Sequence, residues 1–141
     1  MQDSRYLREL SFFTIKQSNE PVIWIDSEGT IHHLNDAACR FSGFEYDELI
    51  GRKIFELHPE ENEETWKAQW EKLKQNKRHS FEKWQPTRNG GIFRMKVTQN
   101  LIEHEGKSYT VSFLEDKTKE YAMQEQIEES ERRLSTLMSN L

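Results

Sequence analysis

The stretch PVIWIDSEGTIHHLNDAACRFSGF, Pro21 to Phe44, decides how the rest of this chain is read. Val22 to Ile25 is a short β-branched and aromatic run, and Thr30 to Leu34 resumes the extended pattern. Between them Asp26-Ser27-Glu28-Gly29 supplies turn chemistry, with a glycine free to adopt positive φ. Asn35-Asp36 then offers side-chain oxygens to cap a helix beginning at Ala37, and Ser42-Gly43 ends it. Two strands this short are not stable alone, so the chain must complete their sheet elsewhere.

Downstream, Tyr46 to Gly51 and Lys53 to Leu57 read as short helical turns, and Asn62 to Lys77 as a longer helix. Glu60, Glu61, Glu63 and Glu64 suit the positive end of that helix but lack the alternating ligands and central glycine of a calcium loop. Trp66, Trp70 and Leu73 fall at i, i+4 and i+7, marking a buried face that needs an apolar wall opposite. Three further strands are expected to provide it: Ser80 to Gln85, Ile92 to Ile102 after the Asn89-Gly90-Gly91 turn, and Tyr109 to Leu114 after a turn at Glu103 to Lys107. Phe93, Met95 and Val97 alternate with Arg94, Lys96 and Thr98; Tyr109, Val111 and Phe113 alternate with Thr110, Ser112 and Leu114. Five antiparallel strands with helices on one face make an α+β domain.

Amphipathic segments flank it. Residues 4–17 carry Tyr6, Leu7, Leu10 and Phe13 at near-helical spacing, and this helix either packs on its own sheet or pairs with a second copy. From Lys117 onward Ile127, Leu134 and Leu141 take a positions and Met123, Ser130 and Leu137 take d positions of a short heptad pattern. A parallel dimer helix is expected, with a single solvated helix as the plain alternative. The expected division is 1–18 flanking helix, 19–116 domain, 117–141 C-terminal helix. Phe13 to Asn19 and Leu134 to Asn140 align without a gap, both ending in Ser-Asn, which suggests an excerpt from a tandem array.

The hydrophobic strand, the acidic-Gly turn, Asn35-Asp36-Ala37 and Gly43-Phe44, followed by Tyr46 to Arg52 and then Leu57-His58-Pro59-Glu60-Glu61, resemble a PAS domain, the sensor module of bacterial signalling proteins. The resemblance runs from about Asn19 to Thr118. It implies a strand order of 2-1-5-4-3, and it makes Asp116 and Thr118 similar to the Asp-x-Thr junction leading into a signalling helix. Asp116 can accept hydrogen bonds from that helix start, whereas Lys117 and Lys119 sit badly there. It also implies a cytoplasmic sensory or relay module, joined to an effector such as a histidine kinase, diguanylate cyclase or transcriptional regulator. A stimulus-independent dimerisation module is the alternative. The expected homodimer uses Leu10, Phe13, Ile127, Leu134 and Leu137.

Family members that hold heme, flavin or small ligands do so between sheet and helices. The corresponding pocket here would be lined by Phe41, Trp66, Trp70, Phe93, Met95, Val97, Val111 and Phe113. Ala38-Cys39-Arg40-Phe41 echoes a flavin-site segment but lies in the first helix, and the long helix carries no histidine for heme, so both cofactors are disfavoured. A small-molecule ligand stays open, as does no ligand at all.

Composition narrows the remaining choices. At 141 residues the chain fits one domain with tails. Charged residues make up 32%, and a net charge of -5 with interspersed lysines argues against a nucleic-acid surface. The single cysteine excludes an internal disulfide and a multi-cysteine zinc site, and reads as a small core residue. No apolar run reaches a membrane-spanning length, and no signal peptide follows Met1. His32 and His33 point to opposite faces of one strand, the other histidines are scattered, and no catalytic motif occurs.

Overall fold

The computed structural model describes residues 19–58 and 60–141. The N-terminal helix expected over residues 4–17, with Leu10 and Phe13, lies outside the described residues. The chain runs β1 (Val22–Asp26), β2 (Ile31–Leu34), α1 (Asp36–Ser42), α2 (Tyr46–Leu49), a 3₁₀ turn (Ile54–Leu57), α3 (Glu63–Asn76), β3 (Arg78–Pro86), β4 (Ile92–His104), β5 (Lys107–Asp116) and α4 (Thr118–Ser139). One antiparallel sheet carries the order β2-β1-β5-β4-β3, so the first and last strands are neighbours. No helix among the described residues is long and apolar enough to cross a membrane.

Local chemistry explains the opening unit. Gly29 closes the β1–β2 turn at φ +87°, and its N–H donates to the Asp26 carbonyl at 3.0 Å. Asn35 is buried and caps α1: its Oδ1 accepts from Ala38 N and from Val22 N, both at 3.0 Å, while its Nδ2 donates to the Glu20 carbonyl at 2.9 Å. One amide thus ties the helix start to the first strand and to the chain entering it. Asn62 and Thr65 cap α3 reciprocally, and Lys77 at φ 64° ends it.

Ile23 packs against all three clusters of buried side chains. The first holds Ile25, Trp66, Trp70 and Leu73 with Phe55 and Leu101 against it. The second is Ile31, Leu34, Ala38 and Leu49, and the third is Met95, Val97 and Leu114 with Phe41, Phe81 and Phe93. The tryptophan face of α3 therefore meets β1, the 3₁₀ turn and Leu101. It does not meet the Phe93-to-Val97 stretch that the sequence pattern suggested.

Register fixes which way each strand faces. Val97 is paired with Leu114, Gln99 with Ser112 and Phe81 with Val97, so Phe81, Val97, Gln99, Ser112 and Leu114 share the helix-covered face. Val111 pairs with Trp24 and Phe113 with Val22, on the opposite face. This corrects the expected lining: the apolar phase of β5, Val111 and Phe113, points away from the helices, and Thr110, Ser112 and Leu114 point toward them.

Candidate functional site

Between sheet and helices lies a cavity of about 90 Å³. Ile23, Ile31, Phe41, Trp66, Val97 and Leu114 form much of its apolar wall. Of the residues expected to line it, Phe41, Trp66 and Val97 do so. Phe93 and Met95 stand one layer behind, with Phe93 against Phe41 at 5.0 Å between ring centroids and Met95 fully buried beside Val97 and Leu114. Trp70 is packed against Trp66 at 6.1 Å and does not reach the cavity.

Polar groups that the expected lining omitted also face this space. On β3, Lys83 reaches inward, with Nζ 3.7 Å from Glu61 Oε1 and 3.2 Å from His58 Nε2. Lys83 and Glu61 are each about one-fifth exposed, so this trio forms the rim. His58 is only 9% exposed, and burial, reinforced by the Lys83 charge, pushes its imidazole down to about 4; Glu61 pulls the other way. Burial also lowers the Lys83 ammonium, with Glu61 holding it up in part. The neutral imidazole therefore accepts from the Lys83 ammonium. Deeper in the cavity is Gln99, 4% exposed, whose Oε1 has no hydrogen-bond partner among the described residues. Its neighbour across the strand pair, Ser112, makes only a long contact of 3.5 Å with Thr110 Oγ1. Both signals were present in the sequence, as polar residues on the inward phase of alternating strands: Lys83 after Phe81, and Gln99 after Met95 and Val97.

Cys39 packs against the Ile31, Leu34 and Leu49 cluster and does not line the cavity. Burial, then Asp36 and Glu45, pushes its thiol up, which disfavours a reactive thiolate. Among the described residues no group of three His, Cys, Asp or Glu side chains could hold a metal ion.

At the end of β5 the expected junction residues meet. Asp116 Oδ1 accepts from Thr118 N at 2.9 Å and from Thr118 Oγ1 at 2.6 Å. Thr118 Oγ1 in turn accepts from Arg94 N at 2.9 Å, and Lys117 N donates to the Arg94 carbonyl at 2.7 Å. The root of α4 is therefore stitched to the Arg94 backbone of β4 by one main-chain bond and one through the Thr118 hydroxyl. Arg94, read from the sequence only as an outward member of the β4 alternation, lies 5.3 Å over both Trp84 and Tyr121, which meet edge-on at 5.1 Å. Lys117, expected to sit badly at a helix start, lies 3.0 Å from both Glu115 and Glu120, and these pairs offset the unfavourable end charge. Along α4, Ile127, Leu134 and Leu137 are all exposed, at 49%, 58% and 66%.

The sequence matches the PAS domain family over residues 19–119. No curated protein matches the chain in sequence. A PAS domain from a two-component sensor histidine kinase superposes with a TM-score of 0.65 at 18% identity, covering 81% of this chain and 99% of that one. The PAS domain of an HTR-like protein from Haloarcula marismortui gives 0.69 at 23% identity, covering 79% and 95%. A PAS domain in complex with ethanol, from a LuxR-family transcriptional regulator of Burkholderia thailandensis, gives 0.59 at 15% identity, covering 74% and 95%. With a family match over most of its length and the β2-β1-β5-β4-β3 sheet to go with it, the chain belongs to the PAS domain family, the sensory modules of signalling proteins.

Proposed function

We propose that this module senses a small molecule in the cavity and relays its presence through α4 to an adjacent signalling domain. The reading is that of a cytoplasmic relay, non-catalytic in itself, in a longer signalling protein that works as a homodimer. The observation that carries it is continuity: Leu114 lines the cavity, Asp116 follows two residues later on the same strand, and Asp116 holds the first residue of α4. Occupying the cavity displaces Leu114 and Val97, and the bonds from Arg94 to Lys117 and Thr118 pass that shift to the helix root. The ethanol complex of a similar fold supports small occupants over large ones, and about 90 Å³ lies below the usual range for cofactor-sized ligands. The exposed stripe on α4 supports pairing with a second copy.

The test is made in the full-length parent protein. Asp116→Ala and Thr118→Ala uncouple output from stimulus while the domain's melting temperature stays within a few degrees. Regulation at the wild-type level in both variants overturns the relay.

A further inference from the structure

Gln99 is the anomaly in the cavity. A glutamine amide carries one acceptor and two donors, and a buried one ordinarily satisfies them within the protein. Here the side chain is 4% exposed, sits mid-strand on β4 and faces the cavity; its Oε1 is orphaned, and it makes no side-chain hydrogen bond to any described residue. Directly across the β4–β5 pair stands Ser112, also buried, with a hydroxyl committed only to a 3.5 Å contact. The surrounding wall is mainly aliphatic and aromatic, its other polar members being Ser42, Gln69 and Gln85 besides the His58, Glu61 and Lys83 rim. A polar pair left open in an apolar space of this size is matched by an occupant that brings the complementary pair with it.

Resting on the sensing reading above, we infer that the ligand is a small uncharged amide, most simply a lactam, whose adjacent N–H and C=O pair with the Gln99 amide while its hydrocarbon part fills the apolar wall. Three observations lead there. First, an amide answers an amide: ligand N–H donates to Gln99 Oε1 and ligand C=O accepts from Gln99 Nε2, with Ser112 Oγ near enough along the sheet to share the polar end. Second, charge is disfavoured, because Lys83, the one lysine or arginine at the rim among the described residues, is already engaged by Glu61 and His58. An ion carried past the rim to Gln99 would lose its hydration with no counter-charge to replace it. Third, about 90 Å³ is room for about six to nine waters at the ~10–15 Å³ that each requires in a cavity, which suits a five-membered ring with one exocyclic oxygen.

The experiment uses the whole 141-residue chain and three probes of one shape: 2-pyrrolidinone, cyclopentanone and cyclopentane. Binding is followed by methyl and amide chemical shifts of Ile23, Val97 and Leu114. In the wild type 2-pyrrolidinone binds, and in Gln99→Met, which keeps the side-chain length and removes both hydrogen-bonding groups, its affinity falls by about tenfold or more. Cyclopentane affinity stays equal or improves in the same variant, and cyclopentanone, which can only accept, loses less than the lactam. Gln99→Leu repeats the comparison, so the result does not hang on one repacked core. Lactam affinity unchanged in both variants overturns the amide assignment while leaving a ligand-binding cavity. Cyclopentane binding without lactam binding in the wild type does the same. If none of the probes moves the cavity signals, both the amide assignment and the small-molecule sensing reading fall.

Discussion

His58 makes the folded state acid-sensitive in a pH range that the carboxylates hardly touch. Its imidazole falls from an ordinary 6.5 to about 4, chiefly because it is buried and secondarily because Lys83 Nζ lies 3.2 Å away. The unfolded chain therefore holds a proton on His58 below about pH 6.5, and the folded chain only below about pH 4, so acid favours unfolding across that window. Integrating between these two values, the drop from pH 8 to pH 5 costs about 2 kcal/mol, and full protonation would cost about 3 kcal/mol. Asp26 and Glu48, whose folded values are lowered from 3.8 and 4.5, contribute mainly below pH 4.5. Urea unfolding at pH 8, 7, 6 and 5 measures the slope, and His58→Gln serves as control because glutamine can accept from Lys83 without titrating. The wild type loses about 2 kcal/mol more than His58→Gln between pH 8 and pH 5. Equal losses in the two proteins, or a His58 titration midpoint above 6 by NMR, would refute the reasoning. Lys83→Met raises that midpoint, since it removes the nearby positive charge and leaves Glu61 to favour the protonated ring.

Three further outcomes follow from the same contacts. Asn35→Ala removes the α1 cap and the acceptor for Val22 N, and lowers stability by about 2–4 kcal/mol in urea titration, whereas Asn35→Asp, which keeps the acceptor, loses less. Gln99→Met relieves an orphaned buried amide and raises the stability of the unliganded domain by about 1 kcal/mol, read as a higher melting temperature. Ile127→Lys together with Leu134→Lys places charges on the exposed stripe of α4; sedimentation shows a shift from dimer to monomer, while the melting transition of the sheet is unchanged.

The strands and caps were legible because their chemistry is local. The Asp26-to-Gly29 turn, the Asn35 cap, the Gly43 stop and the alternation from Phe93 to Val97 each follow from a few adjacent residues. The strand order came only with the family resemblance, since alternation says which residues share a face and never which strands are neighbours. The facing of β5 was misread for a physical reason. Its more apolar phase, Val111 and Phe113, is matched across the sheet to Trp24 and Val22, while the small polar Thr110 and Ser112 are tolerated beneath the helices. Counting apolar side chains picks the wrong face when both faces of a central strand are covered. Lys83 and Gln99 were overlooked for the converse reason: each is polar in an inward phase, and without the sheet in three dimensions such a residue reads as a lapse in the pattern.

The stack of Trp84, Arg94 and Tyr121 has a practical consequence. Trp84 is 45% exposed, and its indole touches the first turn of α4 through the Tyr121 ring, with a guanidinium 5.3 Å from its face. An indole in that setting changes its emission when the cation or the phenol withdraws. The domain thus has a native optical gauge at the foot of its output rod, and loosening of that foot can be watched in real time without a label.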